Sequence, residues 1–306
     1  MAEHSRHPLG RFADFVANYY AITAGFRHSD EWFAKAALRS DFRDRPYLEE
    51  LARDTSYIKL KKIVRVVDEV EDYAQSHGLA RDQVKVLDVG CGNGTYSLCL
   101  AYLGYQVVGI DINEKVISQA TPRAKDYDNV HFLVAEGISH LEDLNTQYNV
   151  ILALDSLEHM HDPERFCRVV HEHTLCPGIF VTIIPDGYSE VELLYVPFAR
   201  FLRNRLLGQR GPEGTEHIQR FTLGRMRRML VQSGFEYRFV SAVFTTRLPF
   251  SAAFLAGFRG LPAYLNIKAA DFLPKFMTNS WVVSGTKKVT ENVGPGEMIG
   301  NNEVGG

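Results

Sequence analysis

The sequence predicts an α/β fold built around a parallel sheet, and two observations carry that prediction. Short runs rich in β-branched and apolar residues recur at 84–89, 106–111, 130–134, 148–154 and 179–184. Helical text separates the first four, and residues 162–173 supply a helix before the fifth. Strands apolar along their length are buried on both faces, and their alternation with helices marks parallel strands joined by crossovers.

Residues 1–10 read as a frayed end, and helical text runs from Phe12 to about Ala80. Within it Tyr57, Ile58, Ile63, Val66, Val67, Val70 and Tyr73 recur at roughly helical spacing, with Lys59, Lys61, Lys62, Arg65 and Asp68 between them. Gly78 is a natural stop. After Pro185 the rhythm breaks. One insertion covers about 186–234 and includes the basic, aromatic text VPFARFLRNRLLG; a second, apolar and rich in Gly and Pro, covers about 245–278. Residues 235–244 read as a sixth strand and 280–286 as a last one. The Gly- and Asn-rich end at 289–306 has little to bury, so disorder is expected there. The expected organisation is a helical extension over 1–80, a main domain over 81–288 carrying both insertions, and a tail over 289–306.

The 306 residues are 45% hydrophobic and 23% charged, an ordinary globular composition that needs no metal or disulfide staple. The net charge of −3 lacks the basic excess of most proteins that neutralise many phosphates, which disfavours nucleic acid as a partner. Cys91, Cys99, Cys167 and Cys176 form no C-x-x-C pair. The first residues, MAEHSRHPLGRF, lack an apolar leader core, and no run of about 18 uncharged apolar residues occurs. A cytoplasmic location is expected.

The chemistry is carried by the text VKVLDVGCGNG, which ends at Gly94. A buried strand enters a turn with Gly90, Gly92 and Gly94, and a helix follows from about Thr95. Glycines let the chain turn sharply and let a ligand approach the backbone. A dinucleotide fingerprint would be G-x-G-x-x-G with pyrophosphate at the helix start. Here the third glycine arrives one position early, and Thr95 stands where that fingerprint wants glycine. Asp88, two residues before the first glycine, would repel a pyrophosphate, but it suits a cationic ligand bearing an amino acid, directly or through water. S-adenosylmethionine (SAM) is such a ligand. Asp111 lies twenty-one residues after Gly90, at the end of the second run, where a carboxylate can accept hydrogen bonds from both ribose hydroxyls. Ile112 can then lie against the adenine face. An NAD-dependent oxidoreductase would share Asp111 but fails on Asp88 and Thr95.

The text LDVGCGNGTYSLCLAYLGYQVVGIDI resembles the first two motifs of class I SAM-dependent methyltransferases. FLVAEG resembles the third strand of that family, which implies an adenine contact for Glu136, followed by Gly137. YNVILALDSLEHMHDPERF resembles the fourth strand and its turn, PGIFVTIIP the fifth strand, and EHIQRFTLGRMRRMLVQSGF a late family segment at His217, Phe221 and Gly234. Over about 57–243 the resemblance implies a Rossmann-like, seven-stranded, mostly parallel sheet whose last strand is antiparallel.

Ligands of open α/β sheets bind at the carboxyl ends of the strands, which places Asp155, Ser156, Glu158 and His159 near the transferred methyl. His159 is the first candidate for a general base, because its ordinary pKa lies near working pH; Glu158 stands beside it, and His217 is a second candidate. The alternative is that Glu158 and His159 fix the turn by hydrogen bonding. His161, His171 and His173 are expected at the surface. The D-x-x-E-H text at Asp155, Glu158 and His159 is similar to the E-x-x-E-H of ubiquinone-biosynthesis O-methyltransferases, which the resemblance links to a divalent metal; such a metal is not favoured here, because Asp replaces the first Glu and shortens one ligand arm. The leading expectation is methyl transfer from SAM to a small organic acceptor, first of all at oxygen, with an amphipathic or lipid-linked acceptor and a peripheral membrane contact left open by the two insertions. The alternative is a non-catalytic SAM-binding regulatory or partner protein of the same fold. The sequence gives no oligomeric state.

Overall fold

A computed structural model describes residues 57–143, 146–189, 218–245 and 269–288. The chain enters through helix α1 (Tyr57–Ser76) and then follows the alternation read from the sequence: β1 (Lys85–Val89), α2 (Thr95–Leu103), β2 (Gln106–Asp111), α3 (Glu114–Ala120), β3 (Val130–Val134), α4 (Gly137–Asp143), β4 (Tyr148–Leu154), α5 (Pro163–His173), β5 (Thr174–Pro185), α6 (Leu223–Gln232), β6 (Glu236–Ala242) and β7 (Ser280–Lys287). The seven strands form one sheet in the order β3-β2-β1-β4-β5-β7-β6. β1 pairs in parallel with both β2 and β4, while β7 runs antiparallel to β5 and to β6. The expected mixed sheet with an antiparallel last strand is therefore present.

The sheet separates two apolar cores. Alternation along β4 sends Val150, Leu152 and Leu154 into the core under α1 and α2, and Ile151 and Ala153 into the core under α5 and α6. On the second side Phe166 of α5 meets Phe180 of β5 edge to face, with centroids 6.2 Å apart. His171, expected at the surface, packs its half-buried ring on Phe235 instead.

The helix starts follow local chemistry. Asp162, before Pro163 at the first helical position, accepts from the Arg165 amide and caps α5. Thr222 does the same for α6 through the amide of Arg225.

Helix α1 departs from its sequence reading. Its apolar positions Ile63, Val66, Val67, Val70 and Tyr73 are buried as the spacing predicts, but so are Lys61, Asp68, Glu69 and Glu71. Lys61 Nζ reaches Asp271 Oδ1 at 2.9 Å, from a helical turn at residues 269–272. Glu71 accepts from the Tyr105 hydroxyl at 2.6 Å and from Arg81 at 2.8 and 3.0 Å. A polar helix face is expected in solvent; here later segments of the chain cover it and supply the opposite charges that burial requires.

The residues read as an N-terminal extension before 57, most of both insertions and the tail over 289–306 lie outside the described residues. No helix among the described residues is long and apolar enough to cross a membrane.

The Tyr105–Glu71 bond joins α1 to the strand-and-helix layer beneath it, so Tyr105→Phe is expected to lower stability by about 2 kcal/mol, the range for a buried hydrogen bond to a charged group. Urea unfolding of the two proteins measures this, and an unchanged midpoint would show the bond to be dispensable.

Candidate functional site

The chain leaves β1 toward β2 and leaves β4, on the other side of β1, toward β5, so the two connections depart in opposite directions and open a crevice between the carboxyl ends of β1 and β4. The 90–94 loop lines that crevice. The Gly90 and Cys91 amides both donate to the Ile110 carbonyl, at 2.8 and 3.0 Å, and the Gly94 amide donates to the Cys91 carbonyl. Gly90, Gly92 and Gly94 all have positive φ, at 73°, 56° and 79°. Their surroundings differ. A Cβ at Gly90 would lie 2.5 Å from Ser156 Oγ, and one at Gly94 would lie 2.5 Å from the Phe132 ring. A Cβ at Gly92 would have nothing within 4 Å, so its backbone faces open space where a ligand can approach.

Asp88 has a partner that the sequence reading did not foresee. Gly94 caps α2 without a side chain, and the Asp88 carboxylate on β1 lies beside that helix start, accepting from the Ser97 hydroxyl at 2.6 Å. Alternation along β1 puts residue 88 on the α2 side of the sheet. Asp88 is buried, and burial pushes its pKa up to about 6; the Ser97 bond pulls it back, and the charge of Asp111 adds to the rise.

Asp111 closes β2 and is held in place by two backbone donors. Its Oδ2 accepts from the Gly92 amide at 2.9 Å and its Oδ1 from the Asn113 amide at 2.9 Å. Each oxygen retains a further lone pair for a ligand hydroxyl. Ile112, next in the chain, is 73% exposed, which is far from the usual state of an isoleucine. Glu136 follows β3, exposed and accepting from Ser139 Oγ at 3.0 Å, and Gly137 begins α4.

Beyond β4, Asp155 has φ of 51° and its carboxylate lies 2.7 Å from Lys62 Nζ through both oxygens. Ser156 Oγ donates to the carbonyls of Val89 and Leu154, which presses this turn against Gly90. Glu158 and His159 occupy a short 3₁₀ turn, with Glu158 buried and His159 half-buried. The Glu158 carbonyl accepts from the amides of Ile218 and Gln219, which ties this turn to the late segment. His217 itself lies outside the described residues. Among the described residues no group of three or more His, Cys, Asp or Glu side chains is placed to hold a metal ion. Asp155, Glu158 and His159 therefore do not assemble as a chelating trio.

Glu136, Asp111 with Ile112, the 90–94 loop and Asp155 thus stand in a row at the ends of β3, β2, β1 and β4. Three strand spacings make that row roughly 14 Å long. A family profile described as a methyltransferase domain matches residues 47–239, well over half of the chain. The chain belongs to the methyltransferase-domain family. A ubiquinone biosynthesis O-methyltransferase of Pseudomonas syringae pv. tomato is 32% identical to this family member over 144 residues, which is 45% of this chain and 57% of the relative. One from Hydrogenovibrio crunogenus is 37% identical over 141 residues, 44% of this chain and 55% of the relative. The matched region thus spans little more than half the length of these relatives. A solved magnesium protoporphyrin IX methyltransferase from Synechocystis PCC 6803, with bound SAM, is 15% identical, covers 90% of this chain and 97% of its own, and has a TM-score of 0.46, too distant to carry an argument.

Several residues of this candidate site were silent in the sequence. Ser97 carries no motif of its own and emerges only as a partner of Asp88, while Ser156, singled out by its place after the fourth strand, takes a role the sequence did not show, bracing the Gly90 turn. Lys62 was read as one cation among several on a polar helix face. Arg123, whose guanidinium donates to the Asn93 carbonyl at 3.2 Å, had no signal at all.

Two measurements follow. Gly92→Ala is expected to cost about 1–2 kcal/mol, the left-handed penalty alone, and Gly90→Ala clearly more, because its methyl also meets Ser156; equal losses in thermal unfolding would contradict this geometry. Asp88 ionises near pH 3.8 in the unfolded chain and near 6 in the folded one. The folded state therefore holds the extra proton between those values, and stability falls as pH rises through them, by about 3 kcal/mol in total. Urea unfolding of Asp88→Asn between pH 4 and 7 should lack that slope, so its stability relative to wild type should rise with pH; parallel profiles would contradict the assignment.

Proposed function

We propose that the chain transfers a methyl group from SAM to an oxygen of a small organic acceptor. The observation that carries this reading is the row at the sheet edge: an open glycine backbone at residue 92, a carboxylate at Asp111 oriented by two amides, and an exposed isoleucine beside it. The residues suit the proposed ligand in order. Glu136 accepts from the adenine amine, with Gly137 leaving room beside it, and Ile112 covers the adenine face. Asp111 takes the ribose hydroxyls with the lone pairs its backbone donors leave over. The backbone of Gly90, Gly92 and Gly94 admits the amino acid end, Asp88 supplies negative potential beneath it, and Asp155 stands at the far end, beside the methyl.

When bound, SAM supplies a methyl already activated on a sulfonium. The protein's work is then to align the acceptor oxygen with that methyl and to exclude water. His159, half-buried at the end of the post-β4 turn, is the residue proposed to take the hydroxyl proton, with His217 as the second candidate. Glu158 is proposed to shape the turn that presents His159, since its side chain is buried and its carbonyl anchors residues 218 and 219.

Oxygen as the accepting atom is supported by the names of the relatives at 32% and 37% identity, which are O-methyltransferases. An amphipathic or lipid-linked acceptor is supported by the exposed Tyr188, Phe272 and Phe276, which lie in segments bordering the carboxyl end of β5 and the start of β7. A cytoplasmic location is supported by four free cysteines, including the exposed Cys176.

Isothermal titration with S-adenosylhomocysteine tests the core of the proposal. The wild type should bind in the micromolar range, and Asp111→Ala should weaken binding at least about tenfold through loss of charge-assisted hydrogen bonds. A folded wild type that does not bind, or an Asp111→Ala variant that binds as tightly, would refute the assigned ligand or its ribose contact respectively.

A further inference from the structure

Alternation along β4 assigns odd positions to the α5 side of the sheet, as Ile151 and Ala153 show. Residue 155 should follow them. It does not: its left-handed backbone, with φ of 51°, re-aims the chain, and the Asp155 carboxylate meets Lys62 on α1, the helix of the opposite face. Positive φ is uncommon outside glycine, even though Asp tolerates it better than most residues, and it persists where surrounding contacts over-determine it. The contact here is short. Lys62 is 15% exposed and Asp155 39%, and Nζ lies 2.7 Å from both carboxylate oxygens. The neighbouring residue, Ser156, is locked against Gly90 and Val89. The same stretch of α1 also touches the start of α2, where Lys59 Nζ lies 3.5 Å from Thr95 Oγ1. Tyr96 lies close enough to Asp155 and Asp88 for both charges to hold its hydroxyl protonated, after burial, the larger cause.

We propose that Lys62 is a positioning residue that acts through Asp155, holding the carboxylate and the left-handed backbone of residue 155 where they wall the methyl-donor site beside Gly90. This rests on the reading of that site as one for SAM. Lys62 does not touch the donor. It fixes the conformation of the residue that does, and it couples α1 to the end of β4. The consequence is that donor affinity depends on a helix lying outside the glycine loop.

The test is isothermal titration of the full chain with S-adenosylhomocysteine, for wild type, Lys62→Met, Lys62→Arg, Asp155→Gly and the double variant Lys62→Met/Asp155→Gly, each well below its own Tm. Lys62→Met should weaken binding about tenfold, in line with loss of a charge-assisted contact. Lys62→Arg should restore most of it, because the guanidinium fork can reach both oxygens. Asp155→Gly keeps the left-handed conformation but removes the carboxylate, and in that background Lys62→Met should cost nothing further. Should Lys62→Met fail to fold, Lys62→Gln and Asp155→Gly carry the same comparison. Wild-type affinity in Lys62→Met with a lowered Tm would overturn the proposal and leave the pair a strut between helix and sheet. Additive losses in the double variant would also overturn it. A folded wild type that does not bind would instead overturn the donor-site reading itself, and this proposal with it.

Discussion

β1 is hydrogen-bonded on both of its edges, to β2 and to β4, and this double parallel pairing is the constraint on which the rest of the site depends. Parallel neighbours require crossovers, so a helix must leave the carboxyl end of β1 for β2, while the connection after β4 runs the other way, to β5. The crevice between those departures cannot be closed by the sheet. The chain turns there through 90–94, where glycines accept the positive φ that the turn imposes. Every candidate ligand contact described above stands at the carboxyl end of a strand because that edge is the one the topology leaves open.

The electrostatics of the crevice follow from the same geometry. Two carboxylates, Asp88 and Asp111, lie close enough for one to raise the pKa of the other. Each is held by donors of the glycine turn and the helix after it: Asp88 by Ser97, Asp111 by the amide of Gly92. The loop is therefore braced from below by one carboxylate and from the side by the other. A cationic ligand over this loop would relieve the repulsion between them, whereas a pyrophosphate would add to it. Asp155 adds a third negative group at the end of the row, already neutralised by Lys62.

Helix α1 shows how far burial of charge can be organised by distant sequence. Its apolar stripe packs on the sheet, as amphipathic spacing demands. Its charged positions are then met by partners from the turns before β1 and β2, from β6 and from the helical turn at 269–272: Glu71 by Arg81 and Tyr105, Glu69 by Arg238, Lys61 by Asp271. Such pairs are weak sources of net stability, because desolvation opposes the attraction, but removing one partner strands the other. They fix where α1 lies, and so fix where Lys62 meets Asp155.

The strand runs, the glycine turn, the acid at the end of β2 and the helix boundaries at Thr95 and Pro163 were legible in the sequence, because backbone propensity, period and capping are local properties that neighbouring residues determine. Asp88, Asp111 and Ile112 could be singled out for the same reason: their spacing from the turn fixes the strand end on which each stands. The sequence could not show that Asp88 accepts from the Ser97 hydroxyl at the start of α2, that residue 155 leaves the alternation of β4, or that Lys62 rather than any other cation of α1 meets it. The first and last of those facts arise from contacts across 9 and 93 positions of chain. A residue's identity specifies the charge or hydroxyl it brings; only the packing of helix on sheet decides which partner lies within 3 Å, because burial selects among many equivalent cations and acids by position rather than by type.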